Sequence, residues 1–380
     1  MLSVSHPGAV YSKRKMYYMG MKVGVLGCFF DCAELLPQVL APWKSLKSQG
    51  YPFVLGAMHV QFYEYKDLGL LSRDEPTHAL LKNDKAIDIF RFSGEPLFEK
   101  AARQMMLEEL LRRGVDAIWL LDGDEIYTEE QIKGILAYVE KTPQFDYYHV
   151  HLDNRIFGTT KWADGFFPPR IFRTDRHGGI RVFTWDNELK YNDSSTLYSC
   201  IPGIVPKRIA HVLHHTWRAR DAEKKIAYQH LHFGYCPFKL EAGKLVFDEA
   251  YFTRHSMPLP KISPDGSFAM AQKREVPVAY RRDGARSAQD NERALIHLIS
   301  ALLVLERQNG SHITLTLESP SATAQEKELL DICPFDTAIA PIAPLDAFPL
   351  SADDCLHGPA FIFSMIESHF MKAPAELATV

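Results

Sequence analysis

Asp122-Gly123-Asp124-Glu125 puts three carboxylates within four residues. Aspartates one residue apart can share a hard divalent cation, and such a cation can grip a diphosphate. An Asp-Gly pair is also a common solvated turn, but a turn has no need of three acids, so the stretch reads as a metal site. The apolar run Ala117-Ile118-Trp119-Leu120-Leu121 before it predicts a buried strand. Thr128-Glu129-Glu130-Gln131 after it has the form of a capping box and predicts the start of a helix. Ile132, Ile135, Leu136 and Val139 fall on one face of that helix, as in a helix packed on a sheet. The acids thus stand at the C-terminal end of a buried strand, where open α/β sheets bind ligands. Glu125 is expected at the helix entry, where the N-terminal dipole favours an anion.

The elements that must position this loop follow a regular rhythm. Strands are predicted over 22–29, 52–60 and 87–92, and helices over 33–48 and 96–113, the latter with Phe98, Ala102, Met105, Met106 and Leu110 facing inward. Residues 61–86 show no clean period and read as a loop with short helical turns. Strand, helix, strand, then helix, strand, acidic loop, helix predicts an α/β fold with a mainly parallel, Rossmann-like sheet flanked by helices. Beyond Lys141 the texture becomes α+β and irregular, as suits a region that shapes a pocket. There 147–152 alternates like a strand, and 222–233 reads as a helix. Proline-rich, charged 256–292 reads as a linker. Residues 293–380 read as a small α/β module, with helices over 292–307, 323–331 and 359–369 and strands over 312–317 and 337–342. The expected division is an extension over 1–20, a main domain over 21–255, the linker, and that module.

A chain of 380 residues, 46% hydrophobic and 24% charged, has the composition of a soluble globular protein. Its formal charge of -4 supplies no field to recruit nucleic acid. No apolar run reaches the ~20 residues of a membrane span, and the N-terminus lacks an apolar signal core. The six cysteines (28, 32, 200, 236, 333 and 355) have neither disulfide-framework nor zinc-ribbon spacing. They read as free thiols in a reducing cytoplasm.

Residues from Val23 to about His232 resemble the metal-dependent glycosyltransferases of the GT-A fold, family 2-like members in particular. The matching pieces occur in order. Residues 23–46 resemble the family's first strand and helix, without the usual polar nucleotide loop. Phe98-Glu99-Lys100-Ala101-Ala102-Arg103 resembles its acidic-x-x-Ala-Arg helix, and Asp122-Gly123-Asp124 its DxD motif. Thr184-Trp185-Asp186-Asn187-Glu188-Leu189 resembles the acceptor-side segment, with Asn187-Glu188 where many relatives have His-Glu. Val212-Leu213-His214-His215-Thr216-Trp217, followed by Lys224-Lys225, resembles the segment of the late histidine.

The resemblance implies transfer of a sugar from a UDP- or GDP-sugar to a glycan or other hydroxyl acceptor, with inversion, helped by Mn²⁺ or Mg²⁺. Asp122 and Asp124 would supply the metal's oxygen ligands, and one of them could touch the ribose instead. His214 would be a third ligand favouring Mn²⁺; a satisfied core histidine is the plain alternative, and His211 with His215 on a helix a further one. Arg103 could reach the donor phosphates or simply pair with Glu99 one helical turn away. Glu188 is the first candidate for the acceptor base and Asp186 the second, weighed evenly against exposed loop acids. Trp162 and Arg170 are candidate acceptor-pocket residues, Trp162 being equally suited to the core. His149 and His151 are read as sharing one strand face, structural or pocket-lining. Two other functions stay open. One is a nucleotidyltransferase that makes nucleotide sugars, although no basic residue follows Gly24-Val25-Leu26-Gly27 closely enough to meet a triphosphate. The other is a non-catalytic carbohydrate-binding relative.

Overall fold

The computed structural model describes residues 20–366, except 68–73, 157–159, 163–166, 184–188, 194–199, 218–220, 235, 255–258, 265–266, 269–274, 310–311, 320–321, 332, 334–335, 341–343, 345–346, 359–361 and 363. The elements up to the acidic loop and its helix are β1 (Val23–Phe29), α1 (Leu36–Ser48), β2 (Phe53–His59), α2 (Tyr63–Asp67), α3 (Glu75–Asn83), β3 (Ile89–Phe92), α4 (Glu99–Arg112), β4 (Ala117–Leu121), β5 (Glu125–Ile126) and α5 (Glu129–Lys141). Next come β6 (Tyr147–His149), β7 (His151–Ile156), β8 (Thr160–Trp162), β9 (Pro169–Arg173), β10 (Ile180–Phe183), β11 (Leu189–Tyr191), β12 (Pro202–Ile204), β13 (His211–Trp217) and α6 (Ala222–Phe233). The rest are β14 (Phe238–Glu241), β15 (Lys244–Phe247), α7 (Glu249–Arg254), β16 (Ser267–Phe268), β17 (Glu275–Arg281), α8 (Ala288–Asn309), β18 (His312–Glu318), α9 (Ala324–Asp331), β19 (Asp336–Ala340), β20 (Phe348–Ser351) and α10 (Ala352–Leu356).

A seven-stranded sheet in the order β12-β6-β9-β4-β1-β2-β3 forms the centre. Its strands run parallel except β9, which is antiparallel to both β4 and β6. From β1 the chain winds outward through β2 to β3, then crosses back to place β4 on the other side of β1. The strand order therefore reverses between β1 and β4, and a crevice opens at their C-terminal ends. Both faces of these strands are covered, which is why their sequences are apolar without alternation. Val23, Val25, Trp119 and Leu121 share one buried cluster with Val39 and Trp43 of α1 and with Ile132, Ile135, Leu136 and Val139 of α5. Leu26, Ile118 and Leu120 face the other way, onto Met106, Leu107 and Leu110 of α4. The α5 capping box forms as its sequence predicts: the Thr128 hydroxyl accepts from the Gln131 amide, and the Gln131 side chain accepts from the Thr128 amide.

A second sheet, in the order β16-β8-β7-β13-β5, leans on the acidic loop. Its β5 is the two-residue strand that directly follows Asp124, and it pairs antiparallel with β13. The C-terminal unit holds four parallel strands in the order β19-β18-β17-β20, with α8, α9 and α10. Among the described residues no helix is long and apolar enough to cross a membrane.

Four readings of the sequence change. Helix α4 turns Ala102, Arg103, Met106, Leu107 and Leu110 inward, while Phe98 and Met105 are exposed. The charged Arg103 takes the inward place because acids wait for it there. The alternating stretch 147–152 is not one strand. It breaks at Val150, so that His149 ends β6 in the first sheet and His151 begins β7 in the second. Residues 61–86 contain a nine-residue helix, α3, capped by the Asp74 carboxylate on the Thr77 amide. The stretch read as a linker contributes β16 and β17 to sheets. Most of the helix expected over 359–369, and nearly all of the extension over 1–20, lie outside the described residues.

Candidate functional site

A cleft of about 380 Å³ occupies the crevice where the strand order reverses, a size within the ~300–1,000 Å³ usual for small-molecule sites. The end of β1 contributes Cys28, Phe30, Asp31 and Cys32 to its walls, and the acidic loop contributes Asp122, Gly123 and Asp124. Helix α4 adds Glu99 and Arg103, β9 adds Arg170, β13 adds His214 and His215, and α6 closes one side with Lys224, Lys225 and Tyr228. The cleft brings segments almost two hundred residues apart onto one floor.

The acidic loop is anchored from behind. Tyr127 is buried in an aromatic group with Trp43 and Trp119, with ring centroids 4.8–5.8 Å apart and edge-on geometry. Its hydroxyl donates to Glu125 Oε2 at 3.3 Å. Gly123 allows the loop to lie against the end of β1, because a Cβ there would stand 3.0 Å from both Cβ and Sγ of Cys32. On the β1 side, Asp31 adopts a positive φ of 50°, a conformation uncommon outside glycine, and its amide donates to the Asp74 carboxylate.

Five charged groups interlock beneath the loop. Arg103 Nε donates to Glu99 Oε1 at 2.9 Å and Arg103 Nη2 to Asp122 Oδ1 at 2.9 Å. Arg170 Nη2 donates to Asp122 Oδ2 at 3.0 Å, and Arg170 Nε to Glu125 Oε1 at 2.8 Å. Burial works against the Asp122 carboxylate, but Arg103 and Arg170 outweigh it and hold its pKa below the usual carboxylate range. Burial pushes the Glu125 carboxyl up, with Arg170 pulling it back. Glu125 is fully enclosed. Glu125 was expected to point into the helix entry; in the structure its carboxylate is instead met by the buried guanidinium of Arg170. Arg170 lines the cleft with its fork engaged by two acids, Asp122 and Glu125, and so braces the acidic loop. For Arg103 the simple ion pair to Glu99 does form, and the same guanidinium extends it to Asp122.

Asp124 faces a different partner. His214 Nε2 lies 3.5 Å from Asp124 Oδ1. The pairing of β13 with β5 sets His214 opposite Glu125, and the His215 amide donates to the Asp124 carbonyl at 2.9 Å. On the other edge of β13, His214 stands opposite Asn154 of β7, and His214 Nδ1 bonds Asn154 Oδ1 at 2.6 Å. An amide oxygen can only accept, so Nδ1 donates to Asn154 and Nε2 is the nitrogen that faces Asp124. A carboxylate oxygen and an imidazole nitrogen facing each other make a donor set suited to Mn²⁺. At the mouth, Lys224 Nζ pairs with Asp31 Oδ2 at 3.1 Å, so a cation of α6 reaches the loop after β1. Burial pushes the Cys28 thiol up to about 12 despite Arg103 nearby, which leaves it without thiolate chemistry.

The structure thus brings Arg103, Asp122, Asp124, Arg170 and His214 to one cleft. Trp162 ends β8 in the second sheet. Asp186 and Glu188 lie outside the described residues. Sequence reading missed Asn154, Asp31 and the Glu125–Arg170 pair. Only strand register could reveal Asn154, and no local pattern signals it.

No family model matches the chain, and no curated protein matches it. Among solved structures, S. aureus TarS 1–349 in complex with UDP-GlcNAc is similar over 36% of this chain and 35% of its own, at 14% identity and a TM-score of 0.26. The same TarS segment in complex with UDP is similar over 82% of this chain and 70% of its own, at 11% identity and a TM-score of 0.25. Full TarS is similar over 82% of this chain and 42% of its own, again at 11% identity and 0.25. Likeness at this level is too low to carry the activity of those proteins to this chain.

Proposed function

We propose that this chain is a glycosyltransferase that draws a sugar from a nucleoside-diphosphate donor, UDP- or GDP-linked, and passes it to a hydroxyl acceptor with inversion. The observation that carries the reading is the Asp124–His214 pair. A carboxylate and an imidazole oriented by Asn154 converge at the switch-point crevice of a mainly parallel sheet, beside lysines that can face phosphate. Asp124 and His214 would hold Mn²⁺, or Mg²⁺ less well, with Asp122 as a neighbour whose two oxygens already serve arginines. Bound there, the cation would neutralise the charge that develops on the departing diphosphate. Lys224 and Lys225 would add point charges to the same phosphates from α6, and Arg103 keeps Asp122 ionised and fixed. Glu188, or Asp186 in its place, would take the proton of the acceptor hydroxyl. Trp162 is retained as an acceptor-stacking residue in this proposal. The absence of a basic residue on the loop after β1 disfavours a triphosphate substrate, and hence nucleotidyl transfer.

The first test is titration calorimetry of UDP and of GDP, each with Mn²⁺ and then with EDTA. Binding is expected for one nucleotide, with loss in EDTA and loss in Asp124→Ala while the circular dichroism spectrum stays unchanged. Binding that survives Asp124→Ala would sink the metal assignment. No binding of either nucleotide with the metal present would leave a non-catalytic relative as the better reading. Glu188→Gln is expected to retain donor binding and lose transfer, and transfer that persists would move the base to Asp186.

A further inference from the structure

At the end of the central sheet opposite the cleft, three metal-ligating side chains of different chemistry meet. Asp146 immediately precedes β6, Cys200 precedes β12, and His177 lies in the turn after β9. β6 and β12 run parallel and β9 runs against them, so all three residues fall at the N-terminal ends of β6 and β12. The cleft lies at the C-terminal ends of β1 and β4. One carboxylate oxygen, one imidazole nitrogen and the sulfur stand within 4.8 Å of one another. We propose that Asp146, His177 and Cys200 form a second metal site, which takes Zn²⁺ and clips the turn after β9 to the edge of the sheet. This site stands apart from the proposed transferase chemistry and does not depend on it.

The donor set is the first argument. One sulfur, one nitrogen and one oxygen suit a borderline-soft cation and are poorly matched to Mg²⁺ or Ca²⁺. Zn²⁺ bonds of about 2.0–2.3 Å place tetrahedral ligands roughly 3.5 Å apart, so the side chains need to close by about 1 Å. Three protein ligands leave a fourth position for water.

Orientation is the second argument. His177 Nδ1 lies 3.0 Å from Asp193 Oδ2, while Nε2 lies 3.2 Å from Asp146 Oδ2. A carboxylate on Nδ1 fixes the tautomer of a ligating histidine and presents Nε2 to the metal. Asp146 Oδ2 also accepts the Ile201 amide at 2.8 Å, which holds the carboxylate beside the start of β12. His177, Gly178 and Gly179 all have positive φ, 49°, 74° and 101°. A histidine there is uncommon, and the tight turn is what folds the imidazole back over the sheet end.

Ligation to Zn²⁺ needs the Cys200 thiolate and the neutral His177 imidazole, so binding would release the protons those ligand atoms carry and affinity should rise with pH.

The test uses the full chain, stripped with EDTA and titrated with Co²⁺ alone, with Zn²⁺ as competitor. One equivalent of Co²⁺ should give thiolate-to-cobalt charge-transfer absorption, which Zn²⁺ abolishes and which Asp124→Ala leaves intact. The band should be absent in Cys200→Ser, roughly 100-fold weaker in affinity in His177→Gln, and about 10-fold weaker in Asp193→Asn. No band in the unaltered chain, or a band that persists in Cys200→Ser, overturns the proposal. If Cys200→Ser does not fold, His177→Gln decides, since His177 sits in a partly exposed turn. Unaltered affinity in that variant would mean the cluster is an ion pair only.

Discussion

Asn154 accepts the Nδ1 proton of His214 at 2.6 Å, and this one bond decides which nitrogen looks at Asp124. Removing the amide would free the imidazole to rotate and to exchange tautomers. Asn154→Ala is therefore expected to weaken Mn²⁺-dependent nucleotide binding by about 10–100-fold, the usual cost of losing an outer-shell partner. Calorimetry would measure it, and Asn154→Asp, which still accepts from Nδ1, should recover most of the loss. Equal affinity in Asn154→Ala would mean that His214 is a core histidine after all. At this scale Asp122 and Asp124 stood out by their spacing after a buried strand, Arg103 and His214 only by resemblance to a family's motifs, and all four line one cleft. Asn154 and the Glu125–Arg170 pair were hidden. They are made by strands that meet in space 60 and 45 residues apart, and nothing local to Asn154 or Arg170 reports the meeting.

Helix α5 was legible in full because two independent local signals agree, a capping box at its start and one apolar face along it. Helix α4 was legible in extent but not in orientation, since Arg103 sits inward where an apolar residue would be expected. The junction of β6 and β7 was the least legible, because alternation is continuous across Val150 while the partner strands change. That junction has a measurable consequence. His151 begins β7 fully enclosed, beside the ring of Phe167. Burial, reinforced by Lys207, His211 and His149, lowers its pKa from 6.5 to about 3. Between those values the unfolded chain binds a proton that the folded chain refuses. The stability contributed by neutral His151 is thus fully present above pH 6.5 and is lost as pH falls toward 3, at up to ~1.4 kcal/mol per pH unit. Urea unfolding of the unaltered chain and of His151→Asn across this window should show a slope smaller by one proton in the variant. Parallel slopes would show that His151 protonates freely in the fold.

For the whole molecule, a mainly parallel α/β sheet followed by a small α/β module was read from the order of periodic segments, and the stretch between them, read as a linker, contributes β16 and β17. The proline in β17 is the physical reason for the linker reading. Pro277 cannot donate to a ladder and so reads as linker. In the structure it pairs only toward β18, because the ladder with β20 begins one residue later, at Val278. The insertion of antiparallel β9 between β4 and β6 was likewise invisible, since strand order leaves no mark on a single strand's composition. Folding these parts together has an energetic meaning. One buried apolar cluster takes in Trp43, Trp119 and Leu136 of the central unit together with Val276, Leu298 and Ile313 of the C-terminal unit. A shared core predicts shared unfolding. All the tryptophans (43, 119, 162, 185 and 217) precede the C-terminal unit, so their fluorescence reports the central unit alone, while far-ultraviolet circular dichroism reports both. Heat or urea transitions followed by the two probes should coincide at one midpoint. A circular dichroism transition that begins before the tryptophans respond would mean that β17 to α10 melt separately, and that the cluster joins two cores without coupling them.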